Sequence, residues 1–282
     1  MSKGYITIAQ NTPGIDYVRQ AYALALSIKN SQSEVQDFAV CVTNKKDVPR
    51  EWEYAFDHII EIPGNDDAKD ETWKIQNKWK YFEMSPFDET VVLDSDMIFT
   101  SSVDHWWDFL STKNVYFTTS VHNYKGLVAT SDHYRRAISE NNLPNVYTAF
   151  MYFNKSKEAE EMFEMARIIY QNWEKFYFEF IPTYRPKNVS GDIVFSLAQH
   201  ILGTEDTMND LNFPSFVHMK SQMMNIPKNQ ITENWVENIP TYYRPDGVLK
   251  VGNYKQLLPF HYHIKSWLTD DIIAKLEERY NG

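Results

Sequence analysis

Val91-Val92-Leu93-Asp94-Ser95-Asp96-Met97-Ile98-Phe99 is an apolar run broken by two carboxylates two positions apart. A run of this length, rich in β-branched residues, reads as a strand buried on both faces, as in a parallel sheet. In an extended chain, side chains i and i+2 point the same way. Asp94 and Asp96 are therefore expected to face one site where the strand emerges. Two ionised carboxylates so close repel unless something positive joins them. A hard divalent cation carrying phosphates meets that need. With 19 Asp among 282 residues, about one such spacing arises by chance, so context decides. The context is an apolar strand, where unpaired Asp is rare.

Outward from this run, strands and helices alternate. Residues 5–10 read as a strand and Asn11-Thr12-Pro13-Gly14 as a turn. Asp16 is placed to cap a helix reaching about Asn30, with Val18, Ala21, Leu24, Ala25 and Ile28 on one face. Strands are expected at 38–43 and 58–62, a short helix at 52–56, a helix at 73–84 and the carboxylate strand at 90–99. Further on, strands are expected at 115–121 and 147–153 and helices at 132–140, 157–176, 190–201 and 269–280. Pro245-Asp246-Gly247 marks a hairpin turn. The pattern predicts an α/β fold with a mainly parallel central sheet flanked by helices. In such sheets ligands sit beyond the carboxyl ends of strands, where Asp94 and Asp96 lie. No linker, repeat or low-complexity tract divides the chain, so residues 1–282 are expected to form one domain.

Hydrophobic residues at 43% and aromatics at 15% exclude overall disorder. The net charge of −10 argues against nucleic-acid binding through a global field. Cys41 is the only cysteine, so no internal disulfide can form, and its apolar neighbours predict a buried small hydrophobe. The segment Met1–Tyr5 lacks a signal-peptide core. No apolar run reaches about 18 residues, so no membrane span is expected. These features predict a soluble, cytoplasmic protein.

A second chemical segment is Pro259-Phe260-His261-Tyr262-His263-Ile264-Lys265-Ser266-Trp267. Two imidazoles and an ammonium within five residues suit a cation and a diphosphate. If the segment is extended, His261, His263 and Lys265 share a face.

These segments, with two others, resemble the GT-A fold glycosyltransferases of the glycogenin-like family 8. Ile6-Thr7-Ile8-Ala9, followed by Tyr17 and Ala23-Leu24-Ala25-Leu26-Ser27-Ile28, is similar to the family's opening. Lys78-Trp79 precedes Asp88 to Asp96 as in the family. Tyr147-Thr148-Ala149-Phe150-Met151-Tyr152-Phe153-Asn154 resembles its Asn-Ala-Gly strand, and Gly191-Asp192 its later acidic motif. His261 through Lys265-Ser266-Trp267 resembles its terminal His…Lys-Pro-Trp motif. Together they span nearly the whole chain.

The resemblance implies a UDP-sugar donor, a Mn²⁺ or Mg²⁺ ion and transfer to an acceptor hydroxyl with retained anomeric configuration. Residues 1–100 would be the nucleotide-sugar-binding half. Residues 101–282 would be the acceptor-side half, ending in the metal and phosphate segment. Asp94 and Asp96 would ligate the metal with His261, and His263 competes with His261 for that role. Lys265 would contact the diphosphate, Lys78 and Ser95 the donor, and Ile8, Ala9 and Asn11 the nucleoside. Asp192 would approach the sugar. With Lys265, it is the residue on which catalysis is placed. The chain departs from the family at Thr148-Ala149-Phe150, and its terminal motif is shorter, lacks a glycine and has Ser266 for proline.

The acceptor stays open among a glycan, a protein, a lipid-linked sugar and a modified nucleic-acid base. Tyr124, Lys125, Tyr134, Arg135 and Arg136, with Trp173, Lys175, Tyr177, Tyr184, Arg185 and Lys187, would suit an acceptor groove. Surface packing explains them equally well. Two other readings stand beside the transferase. A nucleotidyltransferase calls for a glycine-rich basic loop after the first strand, and Gln10-Asn11-Thr12-Pro13-Gly14 has one glycine and no lysine. A catalytically silent sugar-binding or scaffolding domain would not need the intact carboxylate pair and Lys265.

Overall fold

The computed structural model describes all residues of the chain except 70–73, 130–131, 185–188, 205–212, 225 and 227–231. In chain order the elements are β1 (Lys3–Ile8), α1 (Tyr17–Ser31), β2 (Phe38–Val42), β3 (His58–Glu61), α2 (Tyr81–Met84) and β4 (Glu89–Leu93). Then come β5 (Met97–Ile98), α3 (Trp106–Leu110), β6 (Val115–Thr118), α4 (Asp132–Ser139), β7 (Tyr147–Asn154), α5 (Lys157–Gln171), α6 (Trp173–Phe180) and α7 (Gly191–Leu202). The chain closes with β8 (Val217–His218), β9 (Thr241–Tyr243), β10 (Leu249–Val251), β11 (Tyr254–Lys255), β12 (Phe260–His261) and α8 (Asp270–Asn281).

A six-stranded sheet has the order β3-β2-β1-β4-β7-β6. Strands β3, β2, β1 and β4 are parallel, and β7 runs antiparallel to both of its neighbours. Because side chains alternate along a strand, the sheet has two apolar faces. Tyr5, Val40, Val42, Val91 and Leu93 pack with α1 and with Leu276 of α8. Ile6, Ala39, Cys41 and Val92 pack with α5 and α7 on the other face. Cys41 is fully buried and free, as its neighbours predict. The mixed α/β architecture and mostly parallel sheet agree with the sequence reading.

Local signals explain several boundaries. The Asp16 side chain accepts from Arg19 N at the start of α1, and Thr269 accepts from Ile272 N at the start of α8. Each satisfies one of the donors that a helix start leaves unpaired. Gly203, at φ 63°, ends α7 in a left-handed conformation that costs glycine little. The hairpin around Pro245-Asp246-Gly247 joins β9 to β10.

Four expectations need correction. The strand expected at 90–99 is two strands: β4 stays in the large sheet, while Ser95 and Asp96 turn the chain into β5. Apolar content cannot reveal that corner, since both strands are buried. The helix expected at 73–84 is, where described, a 3₁₀ turn at Lys78–Lys80 running into the four-residue α2. The helix at 157–176 breaks at Asn172, which separates α5 from α6. The strand at 115–121 ends at Thr118. Among the described residues no helix is long and apolar enough to cross a membrane.

Candidate functional site

Strand order decides where the site lies. From β1 the sheet extends to β2 on one side and to β4 on the other, and a crevice opens beyond the carboxyl ends of two such strands. A cavity of about 440 Å³ occupies this place. That size suits a small-molecule ligand. Ile8 at the end of β1 and Asp94-Ser95-Asp96 after β4 line it, together with Lys78, Asp192, His261, His263 and Lys265.

A small three-stranded sheet, β5-β12-β8, brings the distant parts together. His261 of β12 pairs with Met97 of β5 on one side and with His218 of β8 on the other. Tyr262 N also donates to Asp96 O at 3.2 Å. This register sets Asp96 against His261, with Nε2 3.0 Å from Oδ2. Lys265 Nζ donates to the same oxygen at 2.5 Å. Burial alone would raise the Asp96 carboxyl, but His261 and Lys265 outweigh it and hold it well below the usual carboxylate range. Burial lowers Lys265, yet Asp96 more than offsets this and raises it.

The expected alternation of His261, His263 and Lys265 along an extended segment is not what unites them. Strand β12 ends at His261, His263 has φ 60°, and Lys265 begins a 3₁₀ turn. A backbone turn at His263 aims its ring at the cavity. The ligand atoms of Asp96, His261 and His263 lie within 4.8 Å of one another. Burial, then the charges of Lys220 and His261, pushes His263 down to about 3. Burial, then His261, holds His218 well below the usual imidazole range. Both rings are therefore neutral, the form in which imidazole binds cations.

Asp94 lies on the same wall but has a different partner. Lys78 Nζ donates to its Oδ1 at 2.7 Å, and Lys78 also reaches Thr148 Oγ1 at 3.3 Å. Thr148 in turn donates from both N and Oγ1 to Asp192 Oδ1, each at 2.8 Å. Arg135 stands 3.1 Å from Asp192 Oδ2 and 3.5 Å over the Tyr147 ring. Burial would raise Asp192, but Arg135 and the Thr148 donors hold it below the usual range. Two polar clusters thus line the cavity: Asp96 with Lys265 and His261, and the chain Asp94–Lys78–Thr148–Asp192–Arg135.

Of the residues singled out in the sequence, Ala9 and Asn11 are not on the cavity wall. Ala9 is buried and donates to Cys41 O, while Asn11 Oδ1 accepts from Val18 N at the start of α1. Among the supposed acceptor-groove residues, Tyr124 packs edge-on against Tyr254. The Arg136 guanidinium lies 3.4 Å over Tyr184, so the two sequence regions do meet. Arg185 and Lys187, and the Tyr134 side chain, lie outside the described residues. His218 went unread in the sequence. It is an isolated histidine 43 positions before His261, and only the β8–β12 register joins them. Thr148, read as a departure from a motif, is the residue that links Lys78 to Asp192.

The donor set fits a divalent cation: one carboxylate and two imidazoles converge, and Nδ1 of His261 is buried without a hydrogen-bond partner among the described residues. Asp96, His261 and His263 could hold such an ion, beside Asp94.

No protein-family description matches the chain, and no curated protein matches it by sequence. By structure it is similar to the glycosyltransferase GlyE of Streptococcus pneumoniae TIGR4, at TM-score 0.50 and 12% identity. That match covers 99% of this chain and 60% of the other. The apo form of the same protein aligns at TM-score 0.44 and 12% identity, over 100% of this chain and 63% of that one. The chain therefore spans about 60% of the length of the solved structure it matches, and what the two share is the fold.

Proposed function

We propose that this chain is a metal-dependent GT-A glycosyltransferase of the family 8 type. It would move a sugar from a UDP-sugar to an acceptor hydroxyl with retention. One observation carries the reading: in a chain with a glycosyltransferase fold, Asp94, Asp96, His261 and Lys265 converge on one cavity beyond the ends of β1 and β4. A bound divalent ion would supply Lewis-acid stabilisation of the departing diphosphate.

The chain's own residues have separable roles. The Lys265 ammonium is set to contact a diphosphate oxygen, where charge grows as the glycosidic bond breaks. Lys78, steadied by Asp94, offers a second cation to the donor. Asp192 has both oxygens engaged, by Thr148 and Arg135. That suits a carboxylate that orients a sugar hydroxyl better than one that attacks carbon. Front-face attack by the acceptor, with the leaving phosphate oxygen taking its proton, is the route to retention that needs no protein nucleophile.

The test is a thermal-shift and product-release panel of nucleoside diphosphate sugars with and without Mn²⁺. The expected result is stabilisation by UDP or a UDP-sugar that needs Mn²⁺ and vanishes in Asp96→Asn, with slow UDP release from the right donor. Stabilisation that survives Asp96→Asn unchanged would remove Asp96 from the site. Binding without release or transfer for any donor would favour the silent sugar-binding domain.

A further inference from the structure

We propose that the outer face of the β9-β10-β11 sheet, with the adjoining turn at 123–128, docks on the surface of an anionic lipid bilayer. Such docking needs no metal and no sugar, so it stands apart from the transferase reading above.

Strand pairing sets the face. Tyr242 of β9 lies opposite Lys250 of β10, and Lys250 lies opposite Lys255 of β11. Residues directly opposite in an antiparallel pair project from the same face. Gln256 N still donates to Leu249 O at 2.9 Å, so the pairing runs one residue past β11. Leu257, two positions after Lys255, therefore continues the outer row. All four side chains are exposed, whereas Leu249, Val251 and Gln256 point inward and are buried.

The turn is built around the buried Asn123. Its Oδ1 accepts from Lys125 N at 2.9 Å and from Leu127 N at 3.2 Å, and its N donates to Leu127 O at 2.8 Å. Gln256 fastens the turn to the sheet: its Nε2 donates to Tyr124 O at 2.9 Å, and the Tyr124 ring meets Tyr254 edge-on. Two buried amide side chains thus hold Leu127 and Val128 out in water. Among the described residues, Met1 aside, Leu127 (57%), Val128 (53%) and Leu257 (57%) are the large aliphatic side chains exposed by more than half. One exposed leucine needs no explanation. Three such side chains gathered on two adjoining segments do.

Charge says what covers them. Like charges directly opposite in a sheet repel, yet Lys250 faces Lys255. Neither they nor Lys125 has an ion-pair partner among the described residues. Asp246 and Asp271, at the rim of this face, are already taken by Arg244 at 2.7 Å and Lys275 at 2.6 Å. In a chain with 38 Asp and Glu, residues 109–131 and 247–269 contain none. An acidic protein therefore presents one surface where free ammonium groups surround aliphatic tips and tyrosines. Anionic headgroups supply the counter-charge, the acyl boundary takes the aliphatic tips, and tyrosine suits the level between them. A soluble polyanion would satisfy the lysines and leave the leucines in water. A second copy meeting this face across a two-fold axis would set lysine against lysine.

The test is sedimentation of the whole chain with vesicles of phosphatidylcholine alone and of phosphatidylcholine with an equal share of phosphatidylglycerol. The expected result is binding to the mixed vesicles alone, weakened at least about tenfold between about 0.1 and 0.5 M salt. Lys250→Glu with Lys255→Glu should cost at least about tenfold in partitioning. Leu127→Ser with Leu257→Ser should cost as much, because binding scales with buried apolar area, while the thermal transition stays where it was. No binding to the mixed vesicles, equal binding to phosphatidylcholine alone, or a leucine variant that binds like wild type would each overturn the proposal. So would a concentration-dependent dimer that Leu257→Ser dissolves, which would assign the face to a second copy. Should the variants misfold by circular dichroism, the wild-type comparison of vesicles and salt decides. Vesicle binding with no affinity for any nucleoside diphosphate sugar would sink the transferase reading and leave this inference intact. Sugar transfer by a chain that ignores both kinds of vesicle would do the reverse.

Discussion

At the scale of the residue, the site is a set of charges that neutralise one another. Asp192 is the clearest case. Its carboxylate is mostly buried between Arg135 and Thr148, so removing it takes one negative charge away from a buried guanidinium. Loss of one partner of a buried pair costs about 3–5 kcal/mol, and Asp192→Asn is expected to approach that at neutral pH. The sign with pH follows from linkage. Arg135 and Thr148 hold the folded Asp192 below its ordinary value, so its contribution is complete above about pH 4. It is lost as pH falls through the lowered value. Urea midpoints of wild type and Asp192→Asn should therefore converge below about pH 4. A gap that stays constant into acid would show that the carboxylate's charge is not its source.

At the scale of the element, the ends matter more than the interiors. Helix α8 begins at Thr269, whose hydroxyl accepts from Ile272 N at 3.3 Å. Thr269→Ala should cost about 1 kcal/mol, readable in thermal unfolding, with nucleotide-sugar binding unaffected. No loss would mean that solvent satisfies that amide equally well. Much of this level was legible from sequence. Asp16 marked the start of α1, and alternating apolar residues marked β1, β2 and β4. The corner at Ser95-Asp96 was not legible, because strands on both sides of it are apolar. Nor was the turn at His263: a left-handed histidine carries no composition signal, and alternation argued for an extended chain there. Asp94, Asp96, His261, His263 and Lys265 line one cavity, but turns at Ser95-Asp96 and at His263, rather than alternation along extended strands, bring them there.

At the scale of the whole molecule, an acidic chain of net charge −10 surrounds a cavity lined by Lys74, Lys78, Lys220 and Lys265. A concave site focuses its local field, so the overall sign does not decide what binds inside it. The last part of the chain also closes over the first: Leu276 is fully buried in the cluster that holds α1, with Ile272 and Ile273 nearly so. Burying each such side chain contributes about 1.5–3 kcal/mol, and the three together rival the ~5–15 kcal/mol by which domains are stable. Deleting residues 269–282 should therefore abolish the cooperative thermal transition seen by circular dichroism. A truncated chain that still melts cooperatively near the wild-type temperature would show that α8 is dispensable.

By itself the sequence determined the parallel α/β core, the helix starts and the two segments that carry carboxylates, imidazoles and lysine. These follow from short-range patterns of burial, capping and alternation that a linear chain records. Only the tertiary structure decided that Lys78 takes Asp94 while His261 and Lys265 take Asp96. It alone brought His218 beside His261 and placed Arg135 against Asp192. Those partnerships join residues between 16 and 169 positions apart. They are fixed by strand order and by the register of a three-stranded sheet, which no local pattern encodes.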